Sequence, residues 1–157
     1  MTRIDKTQVA LLWIIDILNK KGIPFQISGG FAAKIYGSPR PLNDIDIDIP
    51  DSYFPNIYED VKPYITYGPD YYKDPKFNNL LITLNYNGQE IDISGATNGR
   101  MSNREKTAWL LYPCDFNKVT YQEVFGITVP VIPREDLIAY KRELDGDHQI
   151  VDIESIK

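Results

Sequence analysis

Cysteine, histidine and long apolar runs are all scarce in this 157-residue sequence. Its one cysteine, Cys114, cannot form an internal bridge, so no disulfide framework holds the fold. None is needed, because a chain of this length buries roughly 68–70% of the surface its unfolded state exposes. The one histidine, His148, stands near the tail and reads as a surface residue. That counts against a phosphodiesterase or nuclease, whose sites generally recruit His. No apolar run approaches the roughly 20 residues that span a bilayer. Residues 9–18 are apolar but interrupted by Asp16, and no small-residue cleavage site follows them. A cytoplasmic protein without membrane contact is the expectation. Basic residues are also short: 17 Lys and Arg against 22 Asp and Glu leave a net charge of −5. This balance excludes a broad basic surface for duplex nucleic acid, while leaving room for a small anion held locally.

What is present is an ordinary globular composition, 43% hydrophobic and 25% charged, with no internal repeat, low-complexity tract or long linker. One α+β domain over 1–157 is expected. Leu11, Ile14, Ile15 and Leu18 recur at helical spacing, predicting a helix capped by Asp5 or Thr7 and ended by Gly22. Pro24 resets the chain into a strand at 25–27, Ser28-Gly29-Gly30 makes a tight turn, and 31–36 forms a short helix closed by Gly37. Residues 44–49 alternate Asp and Ile strictly, which fits a strand with isoleucines on the core and aspartates toward solvent or a ligand. A helix is expected near 54–61, then irregular structure through the Tyr-rich stretch to 76. Residues 80–86 and 90–94 flank Asn87-Gly88, the signal for a type I′ hairpin. A second hairpin joins 119–124 to 127–132 at Phe125-Gly126. Pro133 opens a helix with Glu135 and Asp136 in its first turn, and the tail after Gly146 is expected to be helical.

Side chains two apart on a strand lie about 6.6 Å apart at Cα and point the same way, so Asp44 and Asp46 can reach one divalent cation. Asp92, in its own polar/apolar alternation between Ile91 and Ile93, is placed to supply a third carboxylate or to remove a proton. The alternative is a solvated strand face, yet Asp is depleted in strands and a polar face would normally carry Thr, Lys or Glu. Gly29-Gly30, between a strand and a helix, offers bare N–H groups for an anion, or simply a tight turn. Lys34 and Arg40 lie between the glycines and the aspartates, as charges to neutralise a triphosphate or as solvated surface groups.

The run SGGFAAKIYGSPRPLNDIDIDIP resembles the nucleotidyltransferase superfamily, whose pattern is a Gly-Gly turn followed about a dozen residues later by a strand with Asp-x-Asp. It is most similar to the lincosamide and aminoglycoside nucleotidyltransferases and the minimal, toxin-type nucleotidyltransferases. VPVIPREDLIAYKREL resembles their later hairpin and helix. The resemblance implies a polymerase beta-like palm fold, a mixed central sheet flanked by helices. It implies Mg²⁺ held by Asp44, Asp46 and Asp92, with Asp92 as third ligand or general base, and Asp48 in place of Asp44 if the register shifts. Ser28, Gly29 and Gly30 would contact the triphosphate, and Arg40 and Lys141 the phosphates or substrate. The implied reaction moves a nucleoside monophosphate from a nucleoside triphosphate, ATP by default, to a hydroxyl on a small molecule, RNA or protein. Relatives that modify antibiotics or tRNA usually add a segment that builds the acceptor pocket. Here that pocket is expected from a second subunit, as in a homodimer, or from Tyr64, Tyr67, Tyr71 and Tyr72, whose commoner role is packing against a sheet. A catalytically silent nucleotide- or partner-binding module is the rival reading.

Overall fold

The computed structural model describes residues 5–112 and 114–157. Helix α1 (Lys6–Lys20) starts where Asp5 accepts a hydrogen bond from Thr7 N at 2.8 Å, satisfying one of the helix's free donors. Its stripe of Ala10, Leu11, Ile14, Ile15 and Leu18 is buried. Strand β1 (Gln26–Ser28) runs directly into helix α2 (Gly29–Tyr36), so the two glycines begin the helix and form no separate turn before it. Strand β2 (Asp44–Ile49) follows the proline-bearing loop, and helix α3 (Phe54–Val61) lies where a helix is expected.

The expected irregular stretch to residue 76 is corrected by strand β3 (Ile65–Lys73), antiparallel to β4 (Phe77–Tyr86). Its exposed faces carry no apolar alternation, and Gly68-Pro69 interrupts the pattern, with register shifts on either side of Tyr67. The tyrosines divide accordingly. Tyr64 packs against the edge of the stacked Trp13–Tyr86 pair, at ring-centroid distances of 5.0 and 4.8 Å. Tyr67, Tyr71 and Tyr72 instead stand exposed on β3, contrary to the packing role expected for them.

After β4, the Asn87-Gly88 turn, with φ of +51° and +93°, returns the chain as β5 (Gln89–Gly95). Short strands β6 (Arg100–Ser102) and β7 (Trp109–Leu111) carry no sequence signal strong enough to predict them. The second expected hairpin is β8 (Thr120–Val124) and β9 (Ile127–Val131), followed by helices α4 (Arg134–Arg142) and α5 (Asp147–Ile156). All nine strands join one mixed sheet, ordered β7-β6-β4-β5-β2-β1-β9-β8 with β3 beside β4. β2 is parallel to β5 and β1 to β9, and the remaining pairs are antiparallel.

Ile45, Ile47 and Ile49 of β2 are fully buried, as are Ile91 and Ile93 of β5. Each such side chain contributes about 2 kcal/mol by leaving water, and together they fix which face of both strands turns inward. The opposite face must then carry the aspartates. Helices α2, α4 and α5 pack together, and the turn between β6 and β7 is tied to the α4–α5 linker. There Arg104 N donates to Glu143 Oε2 at 2.6 Å, Lys106 pairs with Asp145 at 2.8 Å, and Lys76 Nζ reaches the Glu143 carbonyl. No helix of the described residues is long and apolar enough to cross a membrane.

Candidate active site

The sheet register assembles a polar row across four strands. Ser28 of β1 pairs with Asp46 of β2, Asp46 with Asp92 of β5, and Asp92 with Thr83 of β4. Residues directly opposite on paired strands share a face, so these four side chains emerge together. Asp44, one alternation away on β2, completes a group in which carboxylate oxygens of Asp44, Asp46 and Asp92 all lie within 4.8 Å of one another. The three are partly buried at the floor of a cleft of about 590 Å³. Thr83 Oγ1 donates to Asp92 Oδ1 at 2.8 Å, leaving Oδ2 free of that bond.

Electrostatics at the floor are unfavourable without a counter-charge. Burial, then Asp92, Asp44 and Asp48, push the Asp46 carboxyl well above its ordinary value, and only Lys141 opposes them. Burial and Asp44 likewise raise Asp92 against the Thr83 hydrogen bond. Asp48 does not join the group. It is 1% exposed beneath the cleft, accepts from Gln26 Nε2 at 2.8 Å, and burial pushes it up to about 7. The grouped carboxylates are therefore those of Asp44, Asp46 and Asp92, with the shifted register left unused.

The raised carboxyls reverse the usual pH dependence. A folded-state pKa above the unfolded value means that the native chain holds its proton more tightly, so stability falls as pH rises through the interval between them. For the protein in chelator, Asp48 is expected to make the fold about 2 kcal/mol more stable near pH 5 than near pH 8. Chemical denaturation at the two pH values measures this, with Asp48→Asn as the comparison. A gradient equally steep in that variant would remove Asp48 as its source.

The other expected site residues separate clearly. Ser28, Gly29, Gly30, Arg40 and Lys141 line the cleft. Lys34 does not: it is exposed on α2, one turn beyond Gly30 and away from the helix start. Gly29, at φ +61°, sits so close to Asp46 that a Cβ there would lie 2.8 Å from Asp46 Cγ and closer still to Oδ2. Arg40 and Lys141 both pair with Asp152 of α5, which the sequence reading missed. Nothing local marks Asp152. Thr83 was legible, since a two-residue turn at Asn87-Gly88 puts it opposite Asp92. Glu90, Tyr72, Tyr112 and Tyr140 also line the cleft, and His148 stands exposed at its rim. Burial, Asp48 and Asp115 push the Cys114 thiol far up, which disfavours the thiolate a nucleophile would need.

No family model and no curated protein matches the sequence. Solved structures do match. A protein of Thermotoga maritima described as a candidate nucleotidyltransferase aligns at 21% identity and TM-score 0.69, over 88% of this chain and 85% of that one. The lincosamide antibiotic adenylyltransferase LnuA, with lincomycin bound, aligns at 14% identity and TM-score 0.60, over 99% of this chain and 100% of that one. ANT(2″)-Ia in complex with adenylyl-2″-tobramycin aligns at 15% identity and TM-score 0.63, over 97% and 88%. At such identities the likeness lies in the course of the backbone, and what it establishes is the architecture: the chain has the nucleotidyltransferase fold.

Proposed function

We propose that the chain transfers a nucleoside monophosphate from a nucleoside triphosphate to a hydroxyl of an acceptor, releasing pyrophosphate. The observation that carries this reading is the meeting of the Asp44, Asp46 and Asp92 carboxylates within 4.8 Å, beside the glycines that begin α2. Hard oxygen donors, crowded enough to raise the proton affinity of Asp46 and Asp92, fit Mg²⁺, which takes few protein carboxylates and completes its shell with water and phosphate oxygens. Bound there, Mg²⁺ would offset negative charge on the transferred phosphoryl group and the departing pyrophosphate.

The chain's own groups have separable tasks. The first N–H groups of α2 lack intrahelical partners and offer donors to the triphosphate. Arg40 and Lys141 supply positive charge on the same side of the cleft. Asp92, oriented by Thr83, takes the proton of the attacking hydroxyl as its oxygen bonds to the α-phosphorus and the bond to the bridging oxygen of pyrophosphate breaks. Adenylyl transfer by LnuA, and the adenylyl-tobramycin in ANT(2″)-Ia, favour ATP as donor. The cleft's volume suits a small-molecule site, and Tyr72, Tyr112 and Tyr140 along it offer faces for a base or an acceptor.

Incubation with α-labelled ATP, Mg²⁺ and a panel of hydroxyl compounds tests the reading. Label appearing on an acceptor together with pyrophosphate is the expected result. ATP binding without turnover on any acceptor would identify a silent module, and acceptor-independent cleavage of a phosphodiester would identify a hydrolase.

A further inference from the structure

The cation pair of the cleft is held from behind by an acid. Asp152 lies on α5, is fully buried, accepts three hydrogen bonds and pairs with Lys141. Ser38 Oγ donates at 2.6 Å and Arg40 Nε and Nη2 at 2.8 and 2.7 Å, and the Lys141 ammonium forms an ion pair with Oδ2 at 2.9 Å. Burial alone would raise this carboxyl, yet Arg40, Ser38 and Lys141 outweigh it and hold the group below the usual carboxylate range. Arg40 spends only one edge of its guanidinium on Asp152, leaving Nη1 and an outer Nη2 hydrogen uncommitted to that carboxylate. That free side lies next to α2: the Nη2 atom is 3.7 Å from where a Cβ on Gly30 would stand. Lys141, 3% exposed, forms an ion pair with Asp152 and gives one N–H to Gln149 Oε1 at 2.9 Å, which leaves donor capacity on the ammonium. Its charge is felt at Asp46, where it lowers the proton affinity.

We propose that Asp152 is a positioning residue that sets Arg40 and Lys141 in one fixed geometry for the phosphate end of the cleft. This rests on the nucleotide-binding reading above. An acid behind a polyanion site subtracts from its charge, since two cations and one carboxylate leave a net +1. The compensation is geometric. Arg40 comes from a loop and Lys141 from a helix, and each long side chain would otherwise lose rotamer freedom when a triphosphate bound. Fork-to-fork pairing with Arg40 removes that freedom in advance, and the Ser38 bond and the Lys141 ion pair hold the Asp152 carboxylate in the orientation the fork needs. Helix α5 thus acts on the cleft through the charge of Asp152 as well as through His148 and Gln149, which line it directly.

Calorimetric titration of the intact protein with ATP in Mg²⁺, and with AMP, distinguishes positioning from simple helix docking. Asp152→Asn is expected to weaken ATP by about tenfold and to narrow the preference for ATP over AMP, despite the added positive charge. ATP binding within about twofold of the parent, or tighter binding as bulk electrostatics alone would give, overturns the proposal. Ser38→Ala serves if the first variant melts without cooperativity. It deletes the short hydrogen bond to Asp152 and a longer one from Arg40 N at 3.4 Å, changes no charge and leaves every cleft-lining side chain in place, and about threefold weaker ATP binding is expected. Unaltered binding in a folded Ser38→Ala protein equally overturns the proposal. A parent protein that binds no ATP sinks the nucleotide reading itself, and Asp152 with it.

Discussion

Asp46→Asn is expected to lower nucleotide transfer by about a thousandfold or more while making the metal-free fold slightly more stable, by about 1 kcal/mol. Both effects follow from one carboxylate. Asp46 sits between Asp44 and Asp92, and its charged form is opposed by burial and by both neighbours. An amide of the same shape removes the repulsion and keeps the packing, so the melting temperature in chelator should rise by roughly 2–4 °C. On the proposed reading the same change removes the central metal ligand, so added Mg²⁺ with ATP should no longer raise the melting temperature, as it should for the parent. Paired melts with and without Mg²⁺, beside initial rates of label transfer, separate the two effects. A variant that loses stability in chelator, or retains the Mg²⁺-dependent shift, would sink the account of Asp46 as an electrostatically strained metal ligand.

Gly29→Ala should be nearly as damaging, for a steric reason. At φ +61° any L-residue other than glycine costs about 1–2 kcal/mol, and here the added methyl would also collide with the Asp46 carboxylate. The side chain that must yield is the one at the centre of the site. Loss of about 3 kcal/mol in stability and at least about a hundredfold in transfer is expected, because small misplacements of a reacting constellation are expensive. Gly30 is the internal control. It has no positive φ, and a Cβ there would meet only Arg40 Nη2 at 3.7 Å, an ordinary contact. Gly30→Ala should therefore fold at least as well as the parent, alanine being the better helix former. If the two alanine variants behaved alike in denaturation and rate assays, close approach of Gly29 to Asp46 would not be what demands glycine.

The contrast between these neighbours shows what was legible in the residues. The pattern Gly-Gly, then Asp-x-Asp on a strand, then Asp92 on another, is local enough to read, because strand alternation fixes which side chains share a face. The Asn87-Gly88 turn even dictates that Thr83 faces Asp92. It could not separate Gly29 from Gly30, since φ is a property of the folded chain. β3 was missed because both of its faces are largely exposed, so it lacks the apolar alternation by which a strand is recognised, and it is defined by pairing with β4. Lys34 was misplaced because closeness in sequence stood in for direction along a helix. Asp152 was invisible for the opposite reason: it acts 112 residues from Arg40, and nothing in the tail's weak pattern announces a buried acid.

The parallel pairing of β2 with β5 has a kinetic side. Asp46 and Asp92 come from strands separated by a helix and a long hairpin, and they are register partners. Such a pairing has to close a large loop before its contacts reward it. When it closes, it also drives three carboxylates together, with the isoleucines of the opposite face supplying the attraction that overcomes them. Topology and charge thus oppose the same pairing, the one that forms the floor of the cleft. Protons, or a divalent cation bound as proposed above, would ease that step by neutralising the same three carboxylates.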